Sequence, residues 1–221
     1  DVSTVIGDLS YAGLSTEFAR LNISKEDEFE RVWDLYGIQS QGVAATMPWM
    51  VTNGNHERFY NFSAYRYRYT MPWQRSGGSE DNFWYSYDYG NIHWISISSE
   101  HDLSDGSVQK TWLENDLQNV DRSVTPWVVL AIHKPMYTTV TGAPGGYADL
   151  LEDLTYKHEI DLFLFLSNSE GFGLVVLEAI ENDVAVICSN ISPLNEFVKN
   201  ISGCLVDRED TQKIAELIST Y

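Results

Sequence analysis

Met47-Pro48-Trp49-Met50-Val51-Thr52-Asn53-Gly54-Asn55-His56-Glu57 is an apolar run delivered straight into a polar turn. Met47 to Val51 is short and apolar and leads into turn-forming residues, which predicts a strand. Asn55 and His56 follow at its C-terminal end and offer an amide oxygen and an imidazole. The same arrangement occurs twice more. Val2 to Ile6 ends in Gly7-Asp8-Leu9-Ser10-Tyr11, and Trp127 to Ile132 runs onto His133. Three strands that each end in metal-seeking side chains predict one metal site.

The donor types narrow the chemistry. Asp, Tyr, Asn and His supply hard oxygen and imidazole nitrogen, which suit Fe, Zn or Mn. A carboxylate such as Asp8 can bridge two cations, and paired cations can clamp a phosphoryl group and acidify a water. Phosphoester hydrolysis is the reaction class that follows.

Composition bounds the alternatives. The 221 residues are enough to bury a real core. The formal net charge of -18 disfavours nucleic acid and anionic membranes, because both need Lys and Arg to offset phosphate. The sequence has no run of 18 apolar residues, and Asp1-Val2-Ser3-Thr4 lacks the basic and apolar regions of a signal peptide, so a soluble chain or a processed fragment is expected. Cys188 and Cys204 lack CxxC spacing and read as two core thiols. The sequons at Asn22, Asn61, Asn190 and Asn200 matter only in a secreted protein.

Glu26 to Tyr36 carries Phe29, Val32, Trp33 and Tyr36 at helical spacing. The alternation in Trp84 to Tyr89, followed by Ile92 to Ile97, predicts a hairpin of half-buried strands. The many aromatics between Tyr60 and Tyr89 come without a basic patch, so base stacking is not their expected role. Ser107 is placed to cap a helix whose Val108, Trp112, Leu113, Leu117 and Val120 form an apolar stripe. His93 and His101 read as strand and loop residues, and His158 as a histidine at a helix end or in a loop.

Taken together, Gly7-Asp8-Leu-Ser-Tyr11, Gly54-Asn55-His56-Glu57 and Ala131-Ile-His133-Lys-Pro-Met-Tyr137 resemble the GDxxY, GNHE and xxHRPMY elements of purple acid phosphatases, within the calcineurin-like metallophosphoesterases. The resemblance covers residues 1 to about 165. It implies that Asp8 bridges two metals, that Tyr11 binds a ferric ion, and that Asn55 and His133 bind a second, divalent ion. His56 would stand beside bound phosphate as hydrogen-bond donor or leaving-group acid. The implied cofactor is Fe with Zn, Mn or a second Fe. The family pattern has seven ligands, and an upstream Asp and the two histidines of a GHxH element after Asp161 to Phe165 have no counterpart here. Asp8, Asn55 and His133 with water therefore point to a single divalent metal.

From Leu166 onward the sequence resembles a different family. Ser169-Glu170-Gly171-Phe172-Gly173-Leu174 through Leu177-Glu178-Ala179 is similar to the donor-binding segment of retaining glycosyltransferases with the two-domain GT-B fold. That resemblance places Glu170 near a donor sugar and Glu178 on a nucleotide ribose. The residues agree with a Rossmann-like repeat: Phe172, Val175, Val176, Ala179 and Ile180 form a helical apolar face, Val184 to Cys188 and Gly203 to Val206 form strands, and Ile214, Leu217, Ile218 and Tyr221 close a terminal helix.

The expected fold is α/β: a metallophosphoesterase-type mixed β-sandwich flanked by helices over 1-165, then a Rossmann-like βαβα segment over 166-221. The expected function is that of a metal-dependent acid phosphatase acting on a small phosphomonoester, without nucleic acid or membrane partners. The alternatives are a non-catalytic or degenerate chimeric chain that binds at most one metal, and a nucleotide-sugar-binding glycosyltransferase remnant. Resemblance over residues 1-165 points to a secreted or lysosome- or vacuole-like compartment. The sequence does not set the oligomeric state.

Overall fold

A computed structural model describes residues 2–13, 28–134, 136, 147–160, 162–165, 185–192, 194–198, 205–207 and 210–218. The chain divides into two compact units, one formed by Asp1–Thr125 with Leu130–Pro135, the other by Pro126–Val129 with Met136–Tyr221. No described helix is long and apolar enough to cross a membrane.

In the first unit, β1 (Ser3–Ile6) and β2 (Trp49–Thr52) pair in parallel, with Ser3 opposite Trp49 and Ile6 opposite Thr52. The Gly7 N–H continues the ladder to the Thr52 carbonyl at 2.9 Å. A parallel register brings two C-terminal strand ends side by side, so Gly7-Asp8 and Asn53-Gly54 become neighbours although more than 40 residues separate them in sequence.

Helix α1 (Glu28–Ala44) lies between these strands in sequence. Phe29 and Trp33 are buried in a core with Met50, Val51, Tyr65, Phe83 and Tyr85. Burying one such side chain contributes about 2 kcal/mol. The helix runs well past the expected end at Tyr36. Ile38 is 66 % exposed, so the added turns present no buried stripe for periodicity to register. The Tyr65 and Tyr85 hydroxyls both donate to the Val51 carbonyl, at 3.1 and 2.8 Å, which ties β2 into the aromatic core.

After a short 3-10 turn (Asn55–Arg58) comes α2 (Phe59–Arg68), which is not one continuous helix. Tyr60, Asn61 and Phe62 have φ of 51, 56 and 58°, in the left-handed region. Each such residue costs about 1–2 kcal/mol. Ring contacts of Phe29 with Tyr60 and of Phe62 with Phe83, at 4.8 and 5.0 Å between centroids, oppose that cost.

The short helix α3 (Trp73–Ser76) precedes the hairpin of β3 (Tyr85–Tyr89) and β4 (Ile92–Ser96), paired as the alternation predicts. Helix α4 (Val108–Gln118) starts at Ser107, whose side chain accepts from the Lys110 N–H. Trp112, Leu113 and Leu117 are buried, but Val108 is 77 % exposed and does not belong to the stripe. As the first helical residue it faces solvent, and buried Gln109 takes the inward place, its amide accepting from Ser98 N–H and donating to the Ser98 carbonyl. Strand β5 (Trp127–Ala131) forms the end of the order β3-β4-β5, with Ile97 N–H donating to the Ala131 carbonyl at 2.9 Å.

In the second unit, α5 (Ala148–Lys157) ends at His158 and buries Leu151 and Leu154. Strands β6 (Leu162–Phe165), β7 (Ala185–Ser189) and β8 (Leu205–Val206) are all parallel, an arrangement that needs crossover connections. Helices α6 (Leu194–Phe197) and α7 (Thr211–Ile218) accompany them, and Cys188 is buried, as a core thiol should be. Glu170, Glu178, Cys204 and the expected helical face from Phe172 to Ile180 lie outside the described residues.

Candidate metal centre

Every described residue of the candidate centre belongs to the first unit. Asp8 follows β1, Asn55 and His56 follow β2, and His133 follows β5, as the pattern of strand and then ligand predicts. The structure brings them together. His133 Nε2 lies 3.2 Å from Asp8 Oδ1 and 3.2 Å from Asn55 Oδ1. The ring also donates to the Ile6 backbone, which commits one nitrogen and turns the other toward the two oxygens. A histidine held by a backbone carbonyl on one side and facing carboxylate and amide oxygens on the other has the geometry of a metal ligand. A shared positive charge, whether proton or metal ion, stabilises such a cluster.

The protonation tendencies agree. Burial opposes charge on His133, but the Asp8 carboxylate outweighs it and holds the imidazole above its ordinary pKa. Burial likewise pushes Asp8 upward, yet the hydrogen bond and charge of His133 and the His56 N–H, which donates to Asp8 Oδ1 at 3.1 Å, bring it below the usual carboxylate value.

Tyr11 stands at the rim, 47 % exposed, with its ring 4.6 Å from that of His56 and its hydroxyl bonded to Asp8. Burial and the neighbouring Asp8 charge raise its pKa. His56 Nε2 is 3.9 Å from Asp8 Oδ2, and its Nδ1 is buried with no hydrogen-bond partner among the described residues. Asp8 and Tyr11 have φ of 50 and 54°. Backbone held in the left-handed region is a cost that concentrates where side chains must be aimed.

Two glycines make this approach possible. A Cβ on Gly54 would land on the Asp8 carboxylate and come within 2.9 Å of His133 Cδ2, and one on Gly7, at φ 68°, would land on the His133 ring. The space that a methyl group would fill is the space between the donors.

Behind the donors lies Glu57, which sequence reading quotes in its motif without giving it a role. It is 2 % exposed. Its carboxylate accepts from Asp8 N–H at 2.9 Å, Leu9 N–H at 2.8 Å and Gly54 N–H at 2.7 Å. The Gly54 bond is half of a capping box for the 3-10 turn; glycine has no side chain to supply the other half. Burial raises the Glu57 pKa against the pull of these N–H groups. A buried acid three residues after a turn glycine was the available signal, but its long-range partners were not readable. Also missed was the ion pair of Lys134 with Glu100, 2.6 Å long and largely buried, directly after His133. His101 is a loop residue, as expected, packed on Phe83 at 4.1 Å and bonded through Nδ1 to Ser98 Oγ at 2.7 Å.

Among the described residues, no group of three or more His, Cys, Asp or Glu is placed to hold a metal ion. The converging set is mixed, one carboxylate, one amide and one imidazole with a tyrosine at the rim, and these hard donors fit Fe, Zn or Mn. A cleft of about 220 Å³ lies elsewhere in the unit, lined by Asp88, His93, Asp116 and Asp121 among others. There His93 bonds Asp88 through Nδ1 at 2.6 Å and Asp116 through Nε2 at 3.0 Å, so both ring nitrogens are taken.

Comparison with known proteins finds two families along the chain, whose matches overlap at residues 146–165. A family model described as calcineurin-like phosphoesterase matches residues 1–165, and one described as glycosyl transferases group 1 matches residues 146–221. The chain is 36 % identical over 174 residues to probable purple acid phosphatase 20 of Arabidopsis thaliana, covering 73 % of this chain and 37 % of that protein. It is 36 % identical over 181 residues to acid phosphatase type 7 of Homo sapiens, covering 72 % of this chain and 37 % of that protein. The chain thus spans a little over a third of the length of these curated relatives. Among solved structures, a purple acid phosphatase isolated from yellow lupin (Lupinus luteus) seeds superposes with a TM-score of 0.60 at 26 % identity, over 74 % of this chain and 30 % of that one.

Proposed function

The chain belongs to the calcineurin-like phosphoesterase family, and on that premise we propose that it is a metal-dependent acid phosphatase that hydrolyses small phosphomonoesters. The observation that carries this reading is the meeting of Asp8 Oδ1, Asn55 Oδ1 and His133 Nε2 within 3.2 Å contacts.

Asp8, Asn55 and His133 would hold a divalent ion, and Asp8 with Tyr11 would face a ferric one. When bound, such ions supply positive charge for a phosphoryl oxygen and acidify a water. The residues supply the rest. Asp8 is kept ionised by His133 and the His56 N–H, so it is ready to ligate near neutrality. His133 is oriented by Ile6 and must give up its Nε2 proton to ligate, which links metal uptake to pH. His56, its ring 4.6 Å from that of Tyr11 and tilted 37° to it, would donate to a phosphate oxygen and hand a proton to the departing alcohol. Fe with Zn, Mn or a second Fe is the proposed pair, and a single divalent ion at Asp8, Asn55 and His133 is the smaller version of it.

The test is to measure bound Fe, Zn and Mn together with hydrolysis of a chromogenic phosphate. Asp8→Ala and His133→Ala should each lower both by about 100-fold or more. Turnover that is indifferent to both substitutions, in protein without metal, overturns the reading. Metal retained without hydrolysis would favour the non-catalytic, single-metal alternative.

The match of residues 146–221 to glycosyl transferases group 1 favours a second reading for the tail, a nucleotide-sugar-binding remnant using Glu170 and Glu178. Binding heat with nucleotide sugars that disappears in Glu178→Ala supports it, and no heat removes it. The division into 1-165 and 166-221 belongs to the same proposal, as does a secreted or vacuole-like compartment. A net charge of -18 supports the absence of nucleic-acid partners.

A further inference from the structure

We propose that Glu57 is a positioning residue that locks the two ligand-bearing loops into one register and thereby sets the affinity of the centre for metal; the part concerning metal rests on the reading above. Three backbone N–H groups converge on its carboxylate. Oε2 accepts from Asp8 and Gly54, at 2.9 and 2.7 Å, and Oε1 from Leu9 at 2.8 Å. One oxygen therefore ties the loop after β1 to the loop after β2, across 49 residues of sequence.

No other described hydrogen bond joins the Asp8 and Leu9 amides to the β2 loop. The return contact is the His56 N–H to Asp8 Oδ1 at 3.1 Å, so the two loops hold each other reciprocally. Glu57 grips the backbone of Asp8, and His56 grips its side chain.

The Asp8 backbone gives this grip its purpose. At φ 50°, next to Gly7 at φ 68°, the chain turns through left-handed conformations that expose consecutive N–H groups on one side. Successive N–H groups in such a turn form a small concavity for an anion. Glu57 fills it, at 2 % exposure, so water does not compete for those amides. With the amides held from behind, the Asp8 side chain is aimed the other way, toward His133 and Asn55. Groups behind metal ligands orient them, and their loss costs about 10–100-fold in metal affinity.

The conservative and the drastic substitution separate the roles. In Glu57→Gln a single carbonyl oxygen can still take the Asp8 and Gly54 N–H groups, while the NH2 faces the Leu9 N–H. In Glu57→Ala all three amides lose their acceptor. The experiment follows amide hydrogen exchange at Asp8, Leu9 and Gly54 in the full chain, together with affinity for Zn2+ or Mn2+ added alone and the melting temperature.

Exchange should accelerate at all three amides in Glu57→Ala and mainly at Leu9 in Glu57→Gln. Metal affinity should fall about tenfold or more in Glu57→Ala, with Glu57→Gln in between. Exchange at those amides unchanged in both variants overturns the lock, and so does a folded Glu57→Ala that binds metal as tightly as the parent. Should Glu57→Ala not fold, Glu57→Gln decides: parent-like exchange at Leu9 with parent-like affinity overturns the proposal. If the parent itself takes up no Zn2+ or Mn2+, the phosphatase reading fails and the part of the proposal concerning metal affinity falls with it, while the exchange pattern still tests the loop lock.

Discussion

Two regions of the first unit each place one histidine between acceptor oxygens, and they do opposite things with it. At the strand ends, His133 spends one ring nitrogen on the Ile6 backbone and turns Nε2 toward Asp8 and Asn55, at 3.2 Å from each. Beside the hairpin, His93 spends both nitrogens on carboxylates, Asp88 at 2.6 Å and Asp116 at 3.0 Å. The residue types are nearly the same. What differs is that His133 commits one nitrogen to a backbone carbonyl and only Nε2 faces side-chain oxygens, where loss of its proton would open a lone pair, whereas His93 is held by carboxylates on both sides. The difference extends to the surroundings. Around His133 the backbone is left-handed at Asp8 and Tyr11 and glycine at 7 and 54. Around His93 a regular antiparallel ladder runs from Tyr85 to Ser96.

The largest expected effect breaks the first region and spares the second. In Gly54→Ala the new methyl lands on the Asp8 carboxylate and crowds His133. Small displacements of reacting groups cost about 100-fold in rate. Chromogenic phosphate hydrolysis should fall by that factor or more, and overpacking should lower stability by about 1–3 kcal/mol in urea unfolding. Full activity in Gly54→Ala would mean that the convergence of donors is not what the reaction uses.

Much of this contrast could be read from the chain alone, but only on one side of it. Apolar runs that stop at Asp8, Asn55 and His133 placed the donors at strand ends, and the parallel register of β1 and β2 brings Asp8 and Asn55 together, whereas His133 arrives from β5 in another sheet. The hairpin was legible because alternation has period two on both strands. Glu57 was not, because its role depends on amides 48 and 49 residues away that converge only when Asp8 turns left-handed. Nor was the role of His93. Its place on a strand was clear, but its partners come from β3 and from α4, and no periodicity carries that pairing. The second half of α1 escaped for a third reason: with Ile38 66 % exposed it buries no stripe.

A smaller effect should fall on the second region alone. Asp116 accepts from Ser86 Oγ at 2.6 Å as well as from His93, and its side chain is only 10 % exposed. Asp116→Ala strands a buried hydroxyl and one imidazole nitrogen, and losing hydrogen bonds to a charged group costs about 2 kcal/mol. Urea unfolding should show that loss while phosphate hydrolysis stays at the parental rate. A parallel loss of activity would erase the distinction between a structural histidine and a reactive one.

The smallest effect is a slope with pH, and it tests whether His93 works through its charge. Burial pulls its pKa down, but the hydrogen bonds and charges of Asp116 and Asp88 outweigh burial and raise it above the ordinary imidazole value. A proton held more tightly in the folded state stabilises the fold wherever the unfolded histidine would also be protonated, below about pH 6.5. That stabilisation fades as pH rises through the higher folded value, because the folded histidine then loses the proton it had kept. The melting-temperature gap between parent and His93→Gln should therefore be wider at pH 5.5 than at pH 9. Taking the difference between two chains that are otherwise identical removes the titration of every other group from the comparison. A gap that is flat across this range would assign the contribution of His93 to shape and neutral hydrogen bonds, and the two histidines would then differ in geometry but not in charge.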